Sequence, residues 1–65
     1  MNEQQLNKWK WVIAEIRILA KSQGFYGRLL ESLEDLEEEQ KIEFIKDLQK
    51  KDVRDTLDLV YYFEC

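Results

Sequence analysis

Between Leu6 and Ala20 the apolar positions recur every three or four residues: Leu6, Trp9, Val12 with Ile13, Ile16, then Leu19 with Ala20. This spacing keeps one face of an α-helix apolar over about four turns and predicts a first helix over residues 3–22. At about 100° per residue, Trp11 and Ile18 point away from that stripe, with Ala14 near them, so the helix has a second, smaller apolar face. Gly24 stands where a glycine in the left-handed conformation closes a helix. A second helix then starts near Phe25, with Phe25, Leu29, Leu33 and Leu36 on one stripe and Tyr26 and Leu30 beside it. A connection this short folds the two helices into an antiparallel hairpin.

No breaker lies between Leu36 and Lys50, yet the hydrophobic phase does not run through. The step from Leu36 to Ile42 turns about 600°, which sets Ile42 roughly 120° off the earlier stripe. A turn near residues 36–39 followed by a third helix over 39–50 restores the register, with Ile42, Ile45 and Leu48 inward and Phe44 at the edge. Residues 50–54 read as a polar connection, and Asp55 as an N-cap with Asp58 in the capping-box position. The segment LDLVYYFE is apolar nearly all round, which suits deep burial or a shared surface. Its Val, Tyr and Phe content makes a strand the alternative, but no second strand is evident to pair with it, and a short final helix is preferred.

The expectation is therefore an all-α single domain over residues 1–65: a bundle of three to four short helices with a long N-terminal helix and an antiparallel helical hairpin. Its core is expected to hold Leu6, Trp9, Ile13, Ile16, Leu19 and Phe25 from the first half, Leu29 and Leu33 from the second helix, and Ile45, Leu48, Leu57 and Val60 beyond.

Composition supports a folded chain of this class. Hydrophobic content is 45% with eight aromatics, there is no proline, and good helix formers dominate. A domain of this size buries only about 60% of its unfolded surface, so its stability margin is thin and a partner is expected. The single cysteine, Cys65, has no internal disulfide partner, which fits a reducing, cytoplasmic setting. The start of the chain lacks the apolar run of a signal peptide, and WVIAEIRILA is too short and too charged to span a bilayer.

The net charge of −4 argues against direct nucleic-acid binding. Its distribution is uneven: residues 1–28 carry five bases and two acids, whereas residues 29–40 carry six acids and no base. A helix-turn-helix built from the second and third helices would present that acidic segment to phosphates, which disfavours it.

Chemistry has little to work with. There is no histidine, the lone cysteine has no activating base, and Gly24 with Gly27 makes neither a Walker loop nor a dinucleotide fingerprint. No catalytic, cofactor or metal residue is assigned, and no enzyme is expected.

Surfaces carry the functional expectation. Trp11 and Ile18, one heptad apart, together with Tyr61, Tyr62 and Phe63, form the expected self-association or partner surface, and a homodimer is the simplest way to cover it. Tyr26 and Arg28 could stand at the hairpin tip as a contact patch, although Phe25 in the core, Gly24 as a helix end and Gly27 as a point of close approach give the favoured reading of GFYGR. Glu31, Glu34, Asp35 and Glu38 fall at i, i+3, i+4 and i+7, a row that on one helix could mimic a nucleic-acid backbone and block a nucleic-acid-binding protein; a solvated face is the plainer reading. Acids at the end of the second helix also oppose its dipole, which calls for a bend or a partner there.

The combination of LAKSQGFYGRLLESLEDL with the later DTLDLVYYFE resembles small helical proteins carried by phages and mobile elements of Gram-positive bacteria. The resemblance covers residues 19–36 and 55–64 and implies an accessory protein that binds another protein, with no particular activity or functional residues attached.

Overall fold

The computed structural model describes residues 1–24 and 26–64, so the places expected for Phe25 and Cys65 lie outside the described residues. Four helices follow one another: α1 Glu3–Gln23, α2 Gly27–Glu34, α3 Glu38–Lys50 and α4 Thr56–Glu64, with no strand among the described residues. The protein is all-α, and residues 57–64 are helical.

α1 starts on a capping box. The Gln5 N–H donates to Asn2 Oδ1 at 2.8 Å and the Asn2 N–H donates to Gln5 Oε1 at 3.2 Å, which satisfies two backbone donors at the helix entrance. At the other end Gly24 takes a left-handed φ of 66°, and its N–H donates to the Ala20 carbonyl. Gly27, by contrast, has open space where a Cβ would stand, so it permits no close helix approach. The expected role of Gly27 is corrected: it is simply the first residue of α2.

The phase break after Leu36 is a real break between helices. The Leu36 N–H donates to the Leu33 carbonyl at 3.3 Å, Glu37 turns to extended backbone, and α3 begins. This bend relieves part of the dipole conflict, although Glu31, Glu34 and Asp35 stay at the C-terminal end of α2. Glu38 and Glu39 sit in the first turn of α3, where the positive helix end favours carboxylates, instead of at the end of α2.

α3 ends in a Schellman motif. The Val53 N–H donates to the Leu48 carbonyl at 3.0 Å and the Asp52 N–H to the Gln49 carbonyl at 3.1 Å, while Asp52 adopts a left-handed φ of 59°. The motif turns Val53 inward to join the core cluster that also holds Leu48, so the supposedly polar connection contributes a buried side chain. Asp55 then caps α4 as expected: its carboxylate accepts the Asp58 N–H at 2.9 Å, and the Asp58 carboxylate accepts the Arg54 N–H at 3.2 Å.

The core draws on every helix: Trp9, Val12 and Ile16 of α1, Leu33 of α2, Ile45 and Leu48 of α3, Leu59 of α4, and Tyr26 and Val53 from the connections. Two expected core residues lie outside it. Leu6 is 41% exposed and Leu57 60% exposed, because α4 turns Leu59 inward and α1 points Trp9, Val12 and Ile16 at its neighbours. The remaining expected members, Ile13, Leu19, Leu29 and Val60, are half-buried. Beside this core Phe44 gathers aromatic rings, meeting Trp9 edge-on at 5.8 Å, Tyr62 edge-on at 5.9 Å and Phe63 in a stack at 6.0 Å.

Candidate interaction surface

α1 is flanked on two sides. On one side Lys8 Nζ donates to the Val53 carbonyl at 2.6 Å and Thr56 Oγ1 donates to Glu15 Oε2 at 2.6 Å, so the α3–α4 connection and the head of α4 lie along Lys8 and Glu15. On the other, Arg17 pairs with Glu34 of α2 at 2.9 Å and Lys41 of α3 places its ammonium 5.4 Å from the Trp9 ring.

This arrangement separates the residues expected to form one partner surface. Trp11 is half-buried against the core, with the Lys8 ammonium 4.4 Å from its ring. Trp11 is thus partly packed within the chain, whereas Ala14 and Ile18 on the same second face stay exposed. Tyr62 and Phe63 are likewise half-buried around Phe44, and the Tyr62 hydroxyl donates to Asp47 Oδ2. Burial first, then the Asp47 carboxylate, pushes the Tyr62 phenol up to about 12. Ile18 and Tyr61 remain exposed, at 61% and 57%. Leu57, a full turn before Tyr61 on α4, joins them, although it was expected inside. Thr56 contacts Glu15, which lies one turn before Ile18, so these exposed side chains belong to neighbouring stretches of α1 and α4.

The hairpin-tip patch does not form as a pair. Tyr26 is 1% exposed and its hydroxyl donates to Glu64 Oε1 at 3.3 Å, while Arg28 is exposed. Burial raises the Tyr26 phenol above its ordinary value, and the Glu64 carboxylate raises it further. The expectation of an exposed Tyr26 fails because its ring joins the buried core cluster while its hydroxyl reaches Glu64 at the end of α4.

The acidic row is also divided. Glu31 and Glu34 lie on α2, Asp35 caps its end and Glu38 opens α3. Two of the four carboxylates are engaged: Glu34 with Arg17, and Glu38 with the ammonium of Met1, which holds the Glu38 carboxyl below its ordinary range. A continuous i, i+3, i+4, i+7 row is thus corrected to two short acidic patches, because the helix that would align them stops at Glu34.

Periodicity did not reveal two open clefts that line the α2/α3 side of α1. One, of about 360 Å³, has Trp9, Ile13 and Ala14 as its apolar lining; Lys10, Arg17, Lys41 and Glu34 supply its charges. The second, of about 380 Å³, is bordered by Met1, Leu6, Glu38 and again Lys41. The two meet at Lys41, and Leu6, Lys10, Ile13 and Arg17 succeed one another at helical spacing along their common wall. Lys10 makes no ion pair among the described residues.

Among the described residues, no group of three or more His, Cys, Asp or Glu side chains is placed to hold a metal ion, and no helix is long and apolar enough to cross a membrane. Compared with protein-family models, with curated proteins and with solved structures, the chain matches none.

Proposed function

We propose that this protein is a non-enzymatic interaction module that associates with further copies of itself, in keeping with an accessory role in a phage or mobile element. The observation that carries the reading is the exposure of three large apolar side chains, Ile18 at 61%, Leu57 at 60% and Tyr61 at 57%, on α1 and α4. Single exposed apolar residues are ordinary, but two of these stand one turn apart on a helix of nine residues. A chain with so thin a stability margin gains from covering them.

Sedimentation velocity tests this over a hundredfold range of concentration. The expected result is a mass that rises with concentration from one copy to at least two, and that stays at one copy when Leu57 and Tyr61 are both changed to glutamate. Both side chains are exposed, so far-UV circular dichroism of the double variant should match the parent. A parent protein that remains a single copy throughout the range overturns the reading.

A further inference from the structure

We infer that the exposed face of α4 docks into the trough along α1 of a second copy, so that copies join head-to-tail. This deepens the self-association reading and rests on it: it names what receives Leu57 and Tyr61.

The two surfaces are complementary in charge. Residues 55–64 carry Asp55, Asp58 and Glu64 and no base. The trough's two carboxylates are each engaged, Glu34 by Arg17 and Glu38 by the Met1 ammonium, which leaves Lys10 and Lys41 as its uncompensated cations. Against a net charge of −4 for the chain, this is a locally basic groove. The surfaces are also complementary in shape and polarity. Leu57 and Tyr61 project from one helix face about 5–6 Å apart, and the trough offers two clefts side by side, lined by Leu6 on one side of Lys41 and by Trp9 and Ile13 on the other. An apolar helix face laid into such a groove is a common recognition mode. The acidic segment 29–40 of a second copy is a poorer occupant, since none of its large apolar side chains is among the exposed ones, Leu6, Ile18, Leu57 and Tyr61.

The direction of assembly follows from α1. Lys8 and Glu15 face the α3–α4 connection and α4, while Lys10 and Arg17, each two residues further on and so about 200° around the helix, face the trough. Plug and socket thus occupy opposite sides of the same helix, which makes the contact heterologous.

Two variants used together test the assignment. Lys10→Glu with Lys41→Glu blocks the socket, and Leu57→Glu with Tyr61→Glu blocks the plug; circular dichroism checks that each folds, and Lys10→Glu alone serves if the first double variant does not. Each variant by itself should associate at least tenfold more weakly than the parent. Mixed in equal amounts they should form a 1:1 pair that grows no further, because each supplies the surface the other lacks. The inference is overturned if the parent associates but the socket variant associates equally well, or if mixing restores nothing, as it would where Leu57 and Tyr61 pair with themselves. A parent that never associates instead removes the self-association reading itself.

Discussion

Gly24 and Gly27 bracket one turn and answer to different physics. Gly24 holds a φ of 66° that costs a side-chain-bearing residue roughly 1–2 kcal/mol, and its missing Cβ would touch nothing, so the backbone alone sets the penalty. Gly24→Ala should therefore lose about 1 kcal/mol, whereas Gly27→Ala, helical and unobstructed, should gain about 0.4–1 kcal/mol by restricting the unfolded chain. Urea midpoints at unchanged slope distinguish the two. A second prediction belongs to Tyr62. Its phenol is pushed up to about 12 from an ordinary 10.0, so the folded state holds this proton more tightly than the unfolded state does. That contribution to stability is complete below pH 10 and is lost as the pH climbs towards 12. Tyr62→Phe should flatten the fall in stability between those values, as followed by denaturant titrations at stepped pH. The role of Gly24 was legible because a glycine after an amphipathic run has one common use. The fate of Tyr26 was not, since an aromatic beside a turn packs inward or outward according to where the returning chain passes, and sequence spacing carries no such information.

At the level of elements, helix boundaries were written in the phase of the apolar positions and in the caps. The 120° slip after Leu36 located the bend to within about two residues, and Asp55 with Asp58 located the start of α4. The end of α3 was harder to read. Its Schellman motif places an aspartate, not a glycine, in the left-handed position, so the usual punctuation is missing, and Val53 in a charged stretch looked like part of a polar linker. A hydrophobic residue five positions after a buried leucine, here Leu48 and Val53, was the available signal. Val53 is 6% exposed, and truncating it removes two buried methyl groups. Val53→Ala should cost about 1–2 kcal/mol by urea denaturation. The same change made at exposed Leu57 should cost much less, which separates the cap contact from general loss of apolar surface.

For the molecule as a whole, the class and the succession of helices follow from local periodicity, but the way α1 serves its neighbours does not. A periodic stripe tells which face of a helix is apolar and leaves open how many elements pack around it. Taken alone, Trp11 opposite the main stripe looked like a surface awaiting another molecule; in the fold it is half-buried beneath Lys8, beside the connection that leads into α4. The trough on the far side, in turn, is assembled from charges on three helices and has no signature along the chain. The two tryptophans consequently stand on different sides of one helix, Trp9 under the ammonium of Lys41 and Trp11 under that of Lys8. Because indole emission follows local polarity and nearby charge, a chain keeping Trp9 alone is a built-in optical probe of the trough. One keeping Trp11 alone watches the joint between α3 and α4, and the pair allows assembly and unfolding to be timed separately without any added label.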